Sequence, residues 1–191
     1  EMNSILSPLG IHIVGLSEFP QVGDIEETGT TLLENAYIKA RTVYDFTGLP
    51  SLADDTGLEV DSLGGAPGVY SARYAGKNST YEENCNKLIL NLKGYPKEKR
   101  VASFKTVIAF VDGEMEHHTD GVVKGLILEK YKGVDGFGYD PIFQPEFQNL
   151  TYAEMDREEK NRISHRFKAL DKIKEFLVPY FKRKGENIDL K

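Results

Sequence analysis

Residues 101–111, Val-Ala-Ser-Phe-Lys-Thr-Val-Ile-Ala-Phe-Val, are rich in β-branched and aromatic side chains, and Asp112-Gly113 follows directly. A run of this kind closed by Asp-Gly predicts a β-hairpin. Residues 114–119 supply the return strand. Residues 121–128, with Val122, Val123, Leu126 and Ile127, predict a third strand. A meander in the middle of a chain exposes two sheet faces, so the flanking segments must cover them.

Those segments read as helices. Thr30 or Thr31 caps a helix to about residue 46, which Gly48 and Pro50 stop. Thr80 and Glu83 have the spacing of a capping box for a helix through about residue 92, and Thr151 and Glu154 repeat it. A charged helical stretch at 156–162 leads into a final helix over about 164–181. There Phe167, Leu170, Ile173, Phe176, Leu177 and Phe181 fall close to one face. Residues 1–7 read as the last turns of a helix closed by Pro8 and Gly10. Residues 11–16, 52–54, 58–63 and 142–143 are further strand candidates. The order predicts an α/β or α+β fold with a mixed sheet.

Composition limits the function classes. At 191 residues and 40% apolar, the chain can bury the core of one domain or of two joined lobes. A net charge of −6 argues against a broad nucleic-acid face, though a local basic cluster can hold a small polyphosphate. No apolar run reaches the roughly 18 residues that a membrane span needs. The single cysteine, Cys85, forms no intrachain disulfide and fits a reducing cytoplasm.

Several clusters carry chemistry. Asp54 and Asp55 end an apolar run and precede Thr56-Gly57. They read either as a solvated turn or as hard oxygen ligands for Mg²⁺, only one of them facing the site because strand neighbours diverge. Glu26 or Glu27 could supply a further ligand. The loop Gly64-Gly65-Ala66-Pro67-Gly68 brings backbone N–H groups close to an anion or simply turns the chain, and Ser71 and Arg73 lie just beyond it. Phe137, Gly138, Tyr139 and Asp140 place two rings and an acid about one glycine, a set that can sandwich a flat base. Ser164, His165 and Arg166 fall at a helix start, where basic side chains oppose the dipole unless an anion balances them. His117-His118 reads as hairpin polarity, not a metal pair. No nucleophile-elbow, Walker or dinucleotide fingerprint occurs.

Six segments together resemble the inosine-triphosphate pyrophosphatase (Ham1/RdgB) family of XTP/dITP diphosphatases. They are Glu-Glu-Thr-Gly at 26–29, Glu-Asn-Ala-Tyr-Ile-Lys-Ala at 34–40, Ala-Asp-Asp-Thr-Gly-Leu at 53–58, the glycine loop through Tyr-Ser-Ala-Arg-Tyr at 64–74, Gly-Phe-Gly-Tyr-Asp-Pro-Ile-Phe at 136–143 and Ile-Ser-His-Arg at 163–166. The resemblance implies an α/β fold with an elongated mixed sheet flanked by helices, two lobes with a central cleft, and a homodimer. It implies one pyrophosphatase domain over 1–191 and Mg²⁺-dependent hydrolysis of ITP, dITP and XTP to the monophosphate and pyrophosphate. On that pattern Asp55 is the base, and Glu26 and Asp55 hold the metal. Thr56, Phe137, Gly138, Tyr139, Asp140, Lys160, His165 and Arg166 contact the substrate, with Lys39, Ser71 and Arg73 as further candidates. The family opens with a strand and a Thr/Ser-Gly-Asn-x-x-Lys phosphate loop. No such motif occurs here, so the expectation is that this N-terminal piece is missing.

Other readings make different demands. A Maf-like pyrophosphatase would prefer modified pyrimidine nucleotides. A haloacid-dehalogenase phosphatase needs Asp-x-Asp, whereas these acids are adjacent. A non-catalytic nucleotide-binding protein would bind ITP without releasing pyrophosphate.

Overall fold

The computed structural model describes residues 2–185. Among the described residues five α-helices are formed: α1 (Met2–Leu6), α2 (Leu32–Thr47), α3 (Tyr81–Asn91), α4 (Arg157–Ile163) and α5 (His165–Arg183). Five strands, β1 (Ser51–Val60), β2 (Pro67–Gly68), β3 (Val101–Val111), β4 (Glu116–Ile127) and β5 (Phe143–Pro145), form one open sheet in the order β2-β1-β3-β4-β5. The α/β class is as expected. The strand direction differs from the expected mixture: Leu58 lies opposite Gly68 and Gly125 opposite Pro145 in antiparallel register, and β3 and β4 form the hairpin. None of the helices among the described residues is long and apolar enough to cross a membrane.

The chain divides into two units. Unit 1 takes the residues up to Asp55, Val107–Gly121 and the chain from Arg166; unit 2 takes Thr56–Thr106 and Val122–His165. In unit 1 the five β3 residues from Val107 to Val111 are all buried, so both faces of that strand are covered. Leu6, Ile108, Phe110, Leu170, Ile173 and Leu177 make its core. Adjacent β4 residues go to opposite faces: His117 stacks on Phe176 of α5, and His118 accepts or donates at Tyr37 Oη of α2, 3.1 Å away. The two histidines therefore do not form a metal pair. Unit 2 packs Leu58, Val60, Leu88, Leu92, Phe104, Ile127, Phe143 and Tyr152 together. Each large apolar side chain buried in this way contributes about 1.5–3 kcal/mol.

Local sequence chemistry set several boundaries. Thr31 and Glu34 form a complete capping box on α2, Thr80 and Glu83 another on α3, and Gly48 closes α2 in the left-handed region. Such a cap contributes about 1 kcal/mol. Three expectations need correction. Residues 11–15 form no strand; Ile11 and Ile13 instead pack against the core of unit 1. The return strand and the third strand are one strand, β4. The pair Asp54-Asp55 is not a turn: β1 runs straight through it from Ser51 to Val60.

Candidate active site

The straight path of β1 decides where the two acids go. Asp54 and Asp55 are strand neighbours and point apart. Asp55, 8% exposed, turns to α2. There Asn35 and Lys39, one helical turn apart on the same face, both donate to it. Lys39 Nζ lies 2.7 Å from Asp55 Oδ1, and Asn35 Nδ2 lies 3.4 Å from Oδ2. The same Lys39 ammonium donates to Glu27 Oε1 at 3.0 Å. One cation is thus shared by two carboxylates.

The loop that delivers Glu27 is tied down. Gly29 N donates to Asn35 Oδ1 at 2.8 Å, and Glu34 accepts from Thr30 N and Thr31 N. A Cβ at Gly29 would lie 2.6 Å from Asn35 Oδ1, so only glycine allows that approach. Glu26, the acid that the resemblance named, is exposed and makes no hydrogen bond or ion pair among the described residues. Glu27 is the neighbour that the fold brings to Asp55.

Burial raises the Asp55 carboxyl above its ordinary value; Lys39 and Asn35 pull it back, and the nearby Glu27 charge adds to the rise. Burial by itself would lower Lys39, but hydrogen bonds and charge from Asp55 and Glu27 together hold its ammonium above the ordinary value. The two directions agree physically. Lys39 faces two acids, whereas Asp55 faces one cation, one acid and little water.

Asp54 takes the other side of β1. Its Oδ2 accepts from Arg166 Nη2 at 3.0 Å and Nε at 3.1 Å. Arg166 stands in the first turn of α5, where a cation opposes the dipole. Asp54 supplies a balancing charge within the protein.

A second cluster lies wholly in unit 2. Asp140, 3% exposed, accepts at one oxygen from Phe137 N at 2.8 Å and from Lys160 Nζ. Lys160 Nζ also sits 4.6 Å from the centre of the Phe137 ring. That ring is half exposed and tilts against Tyr81, with centroids 6.4 Å apart. The two rings help line a cavity of about 360 Å³ that includes Cys85 and Gly138. Cys85 Sγ donates to Gly138 O at 3.3 Å, and burial pushes its thiol up to about 12, which suits a packing role. Tyr139 is buried, with its hydroxyl donating to Ser71 O at 2.9 Å, so it anchors the loop rather than offering a free ring. His165 is buried and stacks flat on Phe104 at 4.6 Å. Thr56 Oγ1 pairs with Thr106 Oγ1 at 2.7 Å.

The glycine loop also has a structural use. Gly64 and Gly65 take positive φ, which only glycine adopts without strain. Ser71 Oγ donates to Gly68 O and accepts from Leu58 N, and Arg73 lies over the Tyr70 ring. Sequence reasoning missed Asn35 altogether. Its signal was the four-residue spacing from Lys39, visible only once Asp55 was known to face that helix.

Comparison with known proteins shows the family. The Ham1 family model matches residues 1–176. A dITP/XTP pyrophosphatase of Caldanaerobacter subterraneus subsp. tengcongensis is 49% identical over 189 residues, covering 98% of this chain and 92% of that protein. One of Listeria monocytogenes is 46% identical over 93% of this chain and 88% of its own length. The solved structure of a HAM1 protein from Coxiella burnetii superposes with a TM-score of 0.87 at 45% identity, covering 93% of this chain and 91% of that one. The Staphylococcus aureus Ham1 structure also gives 0.87, at 38% identity, over 94% and 93%. With the family model spanning most of its length and relatives near half identity, the chain belongs to the Ham1 family.

Proposed function

We propose that this chain is a nucleoside triphosphate pyrophosphatase. It hydrolyses the non-canonical purine nucleotides ITP, dITP and XTP to the monophosphate and pyrophosphate, with Mg²⁺, as a cytoplasmic homodimer that cleanses the nucleotide pool. The observation that carries this reading is Asp55: a buried carboxylate, raised above its ordinary value and held by Lys39 and Asn35, in a Ham1-family chain. The named activity of the relatives supports the substrate class.

The donors suit Mg²⁺. Asp55 and Glu27 present only hard oxygens and already converge on one cation, Lys39. Among the described residues no group of three or more His, Cys, Asp or Glu is gathered for a metal. Mg²⁺ commonly takes one or two carboxylates and fills its shell with water and substrate phosphate. Asp55 is assigned with Glu26, as the resemblance implies, or with Glu27, the acid that shares Lys39. When bound, the ion would supply positive charge to phosphate oxygens.

In the proposed reaction Asp55 accepts a proton from water as the water oxygen attacks the α-phosphorus. The bond from that phosphorus to the bridging oxygen breaks, and pyrophosphate leaves with the electron pair. Asn35 and Lys39 orient the carboxylate for this step. Phe137 is assigned to stack on the base. Gly138, Tyr139, Asp140 and Lys160 shape its loop, and Thr56, His165 and Arg166 complete the substrate contacts. A 6-keto base presents an acceptor where adenine presents a donor, so a site built for one leaves groups unpaired with the other.

The test is pyrophosphate release from ITP, XTP and ATP with Mg²⁺. ITP and XTP should exceed ATP in kcat/KM by about two orders of magnitude or more. Equal rates, or no release from any, would overturn the reading. Light scattering should give twice the chain mass.

A further inference from the structure

Arg100, just before β3, is 4% exposed and forms no salt bridge among the described residues; Glu129 is near enough for its charge to act on the guanidinium but does not pair with it. Its Nε donates to Ile127 O at 2.7 Å, Nη1 to Leu92 O at 2.8 Å and Nη2 to Leu128 O at 2.9 Å. Those carbonyls satisfy three N–H groups but bring no net negative charge. A guanidinium has five such donors, so two remain. Buried charges are ordinarily paired, and leaving one unbalanced is costly.

The guanidinium borders a cavity of about 430 Å³. Lys97, Lys130 and Lys132 line it as well, with Glu129 as the single acid. All three lysines are exposed, and none forms a salt bridge among the described residues. Four cations against one acid make a local concentration of positive charge on a chain whose net charge is −6. The lining comes from three segments of unit 2: the turn before β3, the end of β4 with the residues after it, and Gln144 of β5. None of these residues is assigned to hydrolysis.

We propose that this cavity binds a multivalent phosphate group, separately from the residues assigned to catalysis. Three ammonium groups and one guanidinium match the charge of a di- or triphosphate, and charge-assisted N–H bonds to phosphate oxygens are the strong ones. The group is either inorganic pyrophosphate or the phosphate tail of a nucleotide. The proposal does not depend on which reaction the chain performs.

The experiment is a calorimetric titration of the full chain with sodium pyrophosphate at low ionic strength in EDTA. The wild type is compared with a Lys97→Ala/Lys130→Ala/Lys132→Ala variant, whose exposed positions leave folding and basal turnover intact. One class of binding should weaken at least tenfold or vanish in the variant, as expected when charge-assisted hydrogen bonds to phosphate are removed. Glu129→Gln, which deletes the single acid, should tighten that class several-fold. Titration with ATP separates the sources: binding as tight as or tighter than pyrophosphate identifies a nucleotide, and weaker binding identifies the free anion. Superimposable pyrophosphate isotherms for the wild type and the triple variant would overturn the proposal.

Discussion

Asp55 of unit 1 and Asp140 of unit 2 are both buried acids that accept from a lysine, but the rest of their surroundings differ. Asp140 is wrapped by its own loop. Phe137 N donates to it, and Gly136, at φ 79°, passes so close that a Cβ would collide with the carboxylate. One of its partners, Phe137 N, is fixed by backbone. Among the described residues Asp55 is held by side chains of α2, and one of these, Lys39, is divided between it and Glu27. The first carboxylate is placed to hold a loop in shape. The second is left able to exchange a partner or a proton.

Substitution should separate the two. The largest expected effect is on Asp55→Asn. General-base loss should lower kcat/KM for ITP by about 10²–10⁴. The folded protein disfavours the ionised form of this group, because its carboxyl is raised. Its stabilising contribution is therefore complete below the unfolded value and is lost as pH rises through the folded one, so ionised Asp55 is a cost at neutral pH. Calorimetry should find that the variant melts no lower than the wild type at pH 7. A variant that is inactive merely because it unfolds would erase the distinction.

Asp140→Ala should behave the other way round. It strands Lys160 and frees Phe137 N, and breaking such a buried pair costs about 3–5 kcal/mol. Urea unfolding checks this; a loss below about 1 kcal/mol would remove the structural role given to that acid. The smallest effect is a shift and not a loss. Lys39→Met leaves burial and Glu27 raising Asp55 while removing the main opposing influence. The acid limb of the kcat/KM profile should then move to higher pH. An unmoved limb would mean that the titrating base is not Asp55.

What could be read in the sequence depended on the range of the forces involved. The caps at Thr31 and at Thr80–Glu83 are complete within four residues: the second formed as the box read from its spacing, and the first, read only as a cap at Thr30 or Thr31, forms a box with Glu34. At Thr151–Glu154 the Glu154 carboxylate accepts from Thr151 N, but Glu154 N goes to the Thr151 carbonyl, and only one turn follows before Asp156 caps α4. The same local reading failed at Asp54-Asp55-Thr56-Gly57. Turn propensity there is overridden by the ladder and by partners 16, 20 and 112 residues away in sequence, Lys39, Asn35 and Arg166. The β-branched run at 11–16 failed for the opposite reason: side chains suited to a strand found core to cover but no ladder to join. Among the site candidates, Asp55 fell into one cluster and Asp140 with Lys160 into another. Glu26 and Glu27 could not be ranked without knowing which one faces Lys39.

The uninterrupted course of β1 makes strand register a setting of the chemistry. Sliding this strand by one residue in one direction would seat Asp54 opposite Lys39 and Ala53 opposite Arg166; in the other direction it would seat Thr56 opposite Lys39 and Asp55 opposite Arg166, with the composition of the sheet unchanged. In the first case the guanidinium loses its acid, and in the second the acid meant for water is locked into that guanidinium. A single inserted or deleted residue ahead of Asp54 in this strand is therefore as damaging to the proposed catalysis as losing the carboxylate itself. Length in this segment is as much a part of the active site as any side chain.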